Sequence, residues 1–106
     1  MSNTLSTRAI CVAMMFVSLP CLAQTSAADN YKAKCQMCHG ATGLADTPAG
    51  KSLKAHPFNS PDIAKLSDEE LAAVIRNGKN KMPAYKGKLT DAEINDLVKF
   101  IRTFAH

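Results

Sequence analysis

Residues 35–39 read Cys-Gln-Met-Cys-His, a C-x-x-C-H motif that constrains this chain more than any other feature of its sequence. The pattern is typical of a site at which haem is attached through two thioether bonds. Two thiols separated by two residues can add to the two vinyl groups of a porphyrin, and the imidazole after the second thiol can then bind iron. We therefore predict one covalent haem c on Cys35 and Cys38, with His39 as an iron ligand.

Three other chemistries use a C-x-x-C pair. A structural zinc site needs four ligands, usually from two such pairs, whereas Cys11 and Cys21 lie in a segment that we predict to be removed. A thioredoxin-like dithiol would accompany a βαβ pattern, which the downstream sequence does not show. A disulfide between Cys35 and Cys38 is compatible with an oxidising compartment, but it leaves His39 without a role.

Residues 1–23 have the features of a secretory signal peptide. Arg8 precedes an apolar stretch over residues 9–19, and a small-x-small cleavage site ends at Ala23. The stretch is shorter than the roughly 20 apolar residues that a spanning helix needs, although an uncleaved membrane anchor is an alternative. We predict cleavage near Ala23, a periplasmic location, and no stable membrane insertion after cleavage.

The predicted mature chain, residues 24–106, forms one small domain. Removing 23 of the 106 residues leaves 83, a length at which an apolar core alone gives marginal stability. A covalently held haem would add a large apolar surface for the chain to fold around. The formal charge of +4 becomes +3 once Arg8 is lost. This excess is small, and the sequence shows no recognition-helix pattern, so we expect no binding to nucleic acid. We also expect the domain to be a monomer.

The mature sequence predicts helices joined by one long loop. A first helix is predicted over residues 27–38, and a loop rich in Gly and Pro over residues 41–60. Capping boxes at Ser67–Glu70 and Thr90–Glu93 mark the starts of two further helices. Apolar residues at helical spacing follow the second box, namely Ile94, Leu97, Val98, Ile101 and Phe104. The pattern as a whole indicates an all-α fold.

A second iron ligand follows by elimination among the five methionines. Three lie in the predicted signal peptide, and Met37 is held between the two cysteines, which leaves Met82. Pro83 restricts the backbone beside Met82 and removes one N–H donor, which stiffens a segment suited to carry a ligand. His56 and His106 are the alternatives, and His106 is the last residue of the chain.

Three pieces of the sequence, in order, resemble the class I c-type cytochromes, which are small monohaem electron carriers. They are Tyr31–Gly40 with the haem motif, Asn77–Tyr85 with Met82, and Leu97–Arg102. The resemblance implies a fold in which the first and last helices cross, while the helices and the long loop wrap the haem. At that crossing it implies contacts among Ala27, Tyr31, Leu97 and Phe100. It also implies that a proline carbonyl, best matched by Pro48, accepts a hydrogen bond from the proximal imidazole.

The resemblance implies a periplasmic one-electron carrier of a respiratory chain, not an enzyme, because His39 and Met82 would fill both axial positions. Catalysis on a bound substrate needs an open position. A peroxidase-like protein with a labile methionine bond and a dedicated subunit of one oxidoreductase are the alternatives. We expect redox proteins as electron donors and acceptors, some with acidic docking faces. The lysines expected to meet such faces are Lys51, Lys54, Lys79, Lys81, Lys86 and Lys88.

Overall fold

A computed structural model describes residues 25–105, which form six helices. These are α1 (Ala27–Lys34), α2 (Gln36–His39), α3 (Pro48–Ser52), α4 (Pro61–Ala64), α5 (Asp68–Asn77) and α6 (Asp91–Arg102). Over residues 25–105 only isolated backbone bridges, and no strand, accompany the helices. The predicted all-α fold is confirmed. The predicted signal peptide, residues 1–23, and His106 lie outside the described residues.

Both capping boxes form as predicted. The Glu70 N–H donates to Ser67 Oγ at 3.1 Å, and the Ser67 N–H donates to the Glu70 carboxylate at 2.7 Å. At the start of α6, Thr90 and Glu93 exchange the same pair of bonds, each 3.1 Å long. These contacts satisfy backbone donors that have no partner inside a helix, so the starts of α5 and α6 are encoded locally.

The core lies where α1 and α5 pack against α6. The stripe on α6 supplies its centre, because Ile94 and Leu97 are fully buried. The Tyr31 ring of α1 lies 5.3 Å from that of Phe100 and 5.2 Å from that of Phe104, measured between centroids. The crossing of the first and last helices is therefore present, and it places the end of α1, where the haem motif begins, on the core.

Two stretches differ from the sequence prediction. The helix predicted over residues 27–38 is two helices, because the backbone breaks at Cys35. The loop predicted over residues 41–60 contains α3, and α4 follows it directly. Both short helices begin with Ser or Thr followed by Pro, an arrangement that favours helix starts. For α3, the Gly50 N–H donates to Thr47 Oγ1 at 2.9 Å.

Between residues 25 and 105, no helix combines the length and the apolar character that crossing a membrane requires.

Candidate haem-binding site

The C-x-x-C-H motif folds as one tight helical turn. The N–H groups of Cys38 and His39 both donate to the Cys35 carbonyl, at 3.2 and 2.9 Å. Both thiols are free and half-buried. Burial raises the pKa of Cys35 to about 11, with Lys34 opposing and Cys38 adding to that shift. The turn therefore carries two free thiols and the histidine, in the arrangement that the spacing predicts.

His39 is held in an apolar environment. Its ring stacks on that of Phe58, with centroids 4.8 Å apart and planes at 20°. Burial lowers the pKa of His39 below its ordinary value. The imidazole is therefore neutral near pH 7, and the neutral form is the one that binds metals.

The Nδ1 atom of His39 is buried without a hydrogen-bond partner in the described structure. The described residues do not include a hydrogen bond from this atom to the Pro48 carbonyl, which the resemblance implies, and the role of Pro48 stays a prediction. Pro48 is the first residue of α3. A buried polar atom without a partner is uncommon in folded proteins, and here it belongs to the residue predicted to bind iron.

Thr47 and Gly50 fasten α3 to the haem motif, and sequence reasoning missed both. The Thr47 hydroxyl donates to the Met37 carbonyl at 2.7 Å while it accepts the Gly50 N–H. A Cβ at Gly50 would overlap the Cys38 carbonyl oxygen and lie 2.8 Å from that of Ala45. Only a glycine allows α3 to approach the motif so closely. The Thr-Pro start of α3 was the local signal, but nothing local indicates the contact with Cys38.

Met82 lies in a segment, residues 78–86, that folds back onto the end of α5. Met82 is half-buried and packs against the core, as Cys35 does. It exchanges two backbone hydrogen bonds with Lys79, at 2.9 and 3.2 Å. Gly78 has φ +74°, and a Cβ there would lie 2.7 Å from the Met82 carbonyl oxygen. The glycine at the end of α5 is therefore what permits this reversal of the chain.

Tyr85 shows that the Met82 segment, residues 78–86, lies beside the haem motif. Its hydroxyl donates to the Lys34 carbonyl at 2.9 Å, one residue before Cys35. Burial raises the pKa of Tyr85, and Cys35 and Cys38 raise it further by electrostatic repulsion. The fold therefore brings the Met82 segment next to both thiols, while His56 is exposed.

An aromatic cluster covers the other side of the motif. The Tyr31 hydroxyl donates to the Gly40 carbonyl at 2.6 Å, directly after His39. Burial raises the pKa of Tyr31 to about 12, with smaller contributions from Cys35 and Asp46. The His39 ring thus continues a series of packed rings formed by Phe58, Phe104, Tyr31 and Phe100.

The residues present fit haem c. Two free thiols, a neutral imidazole with a buried unpaired Nδ1, and a thioether on the adjacent segment are the ligand types that hold such a group. Cys35 and Cys38 match the attachment motif, and the surrounding side chains are largely apolar. The exposed large apolar side chains among the described residues, Met37, Leu44 and Leu53, lie in or near the same part of the chain.

A protein-family model and curated proteins match this chain. The family model described as cytochrome c oxidase, cbb3-type, subunit III matches residues 23–101. The chain is 37% identical to cytochrome c6 from Nostoc sp. over 86 residues, which are 79% of this chain and 75% of that protein. It is 34% identical to cytochrome c6 from Bryopsis maxima over 79 residues, 70% of this chain and 83% of that protein.

Solved structures share the fold. A c-type cytochrome designated KustC0563 superimposes with a TM-score of 0.71 at 33% identity, covering 77% of this chain and 100% of that one. The c-type cytochrome XoxG from Methylobacterium extorquens AM1 gives a TM-score of 0.58 at 29% identity, covering 74% of this chain and 48% of that one.

Proposed function

Because the chain belongs to the class I c-type cytochromes, we propose that it is a periplasmic one-electron carrier whose haem iron is bound by His39 and Met82. Its family membership confirms the predicted fold class, the covalent haem c and the role in electron transfer rather than catalysis.

The position of the Met82 segment (residues 78–86) is the observation that carries the proposed ligation. The bond from the Tyr85 hydroxyl to the Lys34 carbonyl holds this segment beside the turn that bears His39. Met37, the other methionine of the predicted mature chain, is 77% exposed. A thioether on the iron raises the reduction potential, so Met82 favours a high-potential carrier.

The chain's own residues have distinct tasks in this proposal. Cys35 and Cys38 would hold the cofactor covalently, and His39 and Met82 would bind its iron. Haem c supplies the chemistry, a one-electron change between ferrous and ferric iron. The apolar side chains of Tyr31, Phe58 and the α6 stripe exclude water, which favours the less charged, ferrous state of the site.

Intact mass spectrometry of the exported protein tests the attachment and the targeting together. We expect the measured mass to equal that of a chain beginning near Gln24 plus one haem, because a thioether bond keeps the haem attached when the protein is denatured. Cys35→Ser and Cys38→Ser should each leave a single thioether, and the double variant none. A product that retains residues 1–23 would refute the proposed signal peptide, and one without haem would refute the covalent attachment.

The lysines beside the site are proposed to steer an acidic redox partner. All six are exposed in the structure, and none is in an ion pair within residues 25–105; they are Lys51, Lys54, Lys79, Lys81, Lys86 and Lys88. Salt screens such steering over about 10 Å at 0.1 M. We therefore expect the rate of electron transfer with the natural partner to fall as ionic strength rises.

Charge reversal at Lys81 and Lys86 tests this steering by stopped-flow kinetics. The double change to Glu should slow association about ten-fold or more at low salt and shift the midpoint potential little. Reversing two other exposed lysines, Lys65 directly after α4 and Lys99 on α6, changes the net charge equally and serves as the control. Equal slowing by both double variants, or a rate that does not depend on salt, would contradict a specific docking patch.

A second candidate is a dedicated subunit of one oxidoreductase, which the oxidase-subunit description of the matching family model favours. Size-exclusion chromatography of native extracts separates the two candidates. A free carrier elutes as an 11.4 kDa protein or smaller, and a dedicated subunit elutes with its oxidoreductase.

A further inference from the structure

We propose that Tyr85 is a positioning residue whose hydroxyl holds the Met82 segment, residues 78–86, against the haem motif. This inference rests on the proposed ligation by Met82 and adds the group that keeps that ligand in place. Three observations support it. The backbone of Tyr85 is fixed, and its hydroxyl makes a hydrogen bond to a distant part of the chain. In addition, the neighbouring turn that contains Met82 cannot hold the segment alone.

The backbone of Tyr85 is fixed on the end of α5. Its N–H donates to the Ile75 carbonyl at 3.0 Å, and the next N–H, of Lys86, donates to the Arg76 carbonyl at 3.0 Å. These bonds satisfy carbonyls that the last turn of a helix leaves without partners. The Tyr85 carbonyl in turn accepts the N–H groups of Lys88 and Leu89, at 2.9 and 3.0 Å. The phenol ring therefore projects from a firmly held base.

The hydroxyl of the Tyr85 ring makes a hydrogen bond to the other part of the site. It donates to the Lys34 carbonyl, 51 residues away in sequence. Lys34 is the last residue of α1 and precedes Cys35. Among the described residues, this is the one hydrogen bond that joins residues 78–86 to residues 25–64. It therefore ties the segment that carries Met82 to the element that carries the attachment cysteines.

Between its attachments to α5 at Gly78 and at Tyr85, the Met82 segment makes only local hydrogen bonds. Met82 bonds only to Lys79, three residues earlier, and the two residues after Pro83 are exposed or half-buried. The turn over residues 79–84 can therefore shift away from the motif between those two attachments without losing its own bonds. The Tyr85 hydroxyl opposes that movement, and so it controls how readily another ligand replaces Met82 on the haem iron.

Tyr31 offers a matched control for a test on the holoprotein. Both tyrosines are half-buried or buried, both pack against the core, and both donate to a backbone carbonyl beside the motif, but the Tyr31 bond runs to Gly40 and does not reach the Met82 segment. Tyr85→Phe and Tyr31→Phe remove the same atom. Imidazole is the competing ligand, and its binding is followed by loss of the red-region absorption that marks a thioether sulfur on ferric haem iron.

The loss of one hydrogen bond corresponds to an equilibrium change of about 3- to 10-fold. We therefore expect Tyr85→Phe to bind imidazole about 3- to 10-fold more tightly than the unmodified protein, with a urea unfolding midpoint close to the unmodified value. Tyr31→Phe should lower the urea midpoint and leave imidazole affinity within about two-fold. Unchanged imidazole affinity in Tyr85→Phe, or equal tightening in both variants, would overturn the proposal.

A second measurement separates failure of this inference from failure of the proposed ligation. If the unmodified protein lacks the thioether absorption, Met82 does not bind iron, and amide hydrogen exchange then decides the role of Tyr85. Exchange at the Lys79 and Met82 amides, which bond to each other's carbonyls, should be about 3- to 10-fold faster in Tyr85→Phe. Equal exchange in the two proteins would show that the hydroxyl does not hold the segment.

Discussion

Replacing Met82 by alanine is expected to abolish the thioether absorption of the ferric protein completely and to lower the midpoint potential. The alanine methyl group cannot bind iron, so the sixth position would take water or another ligand, and a thioether is the ligand that raises the potential. Axial ligands set haem potentials over a range of about 0.8 V, which makes this the largest functional change that a single substitution in the chain should cause.

Met37→Ala is the matched control for that experiment. Met37 lies between the two cysteines and is 77% exposed, so the loss of its side chain should leave both the absorption and the potential close to those of the unmodified protein. Absorption spectra and redox titrations of the two purified variants decide the question. Survival of the absorption in Met82→Ala, or its loss in Met37→Ala, would contradict the proposed ligation.

Gly50→Ala is expected to destabilise the protein strongly, although the residue lies in a helix. Alanine in a helix is ordinarily favoured over glycine by about 1 kcal/mol. At this position the methyl group would overlap the Cys38 carbonyl oxygen, a backbone atom that cannot rotate aside. Overpacking of this kind typically costs about 1–3 kcal/mol, and α3 must move away from the motif to relieve it.

The free energy of unfolding of the holoprotein in urea, and the yield of haem-bearing protein, measure the effect of Gly50→Ala. Ser52→Ala, an exposed change in the same helix, is the control and should alter the unfolding free energy by no more than about 0.5 kcal/mol. If Gly50→Ala were as stable as the unmodified protein, the close packing of α3 on the motif would have no energetic importance.

The two hydroxyl groups beside the motif illustrate why residues of one type differ in role. The Tyr31 hydroxyl stabilises the chain where it leaves His39, at Gly40, within one continuous part of the sequence. The Tyr85 hydroxyl joins parts separated by 51 residues. Hence the first is expected to contribute to global stability and the second to the retention of Met82, a difference that sequence position alone does not reveal.

Local features of the sequence were sufficient for much of the fold. The C-x-x-C-H turn, the two capping boxes and the stripe on α6 all involve residues within a few positions of one another, so their chemistry is readable without tertiary contacts. The same holds for the resemblance that identified the family. Helices α3 and α4 were missed although each begins with a local Ser/Thr-Pro signal, because each spans only about one turn and leaves no apolar periodicity.

Contacts between distant parts of the chain were decided only by the tertiary structure. The sequence alone led to the residues that we propose to bond to haem c, through the types and spacing of Cys35, Cys38 and His39 and through the elimination that favours Met82. The packing of α3 on Cys38, the unpaired Nδ1 of His39 and the bond from Tyr85 to Lys34 depend on how separate elements dock. How the helices dock is set by the summed burial and shape of many side chains, and no single sequence motif predicts it.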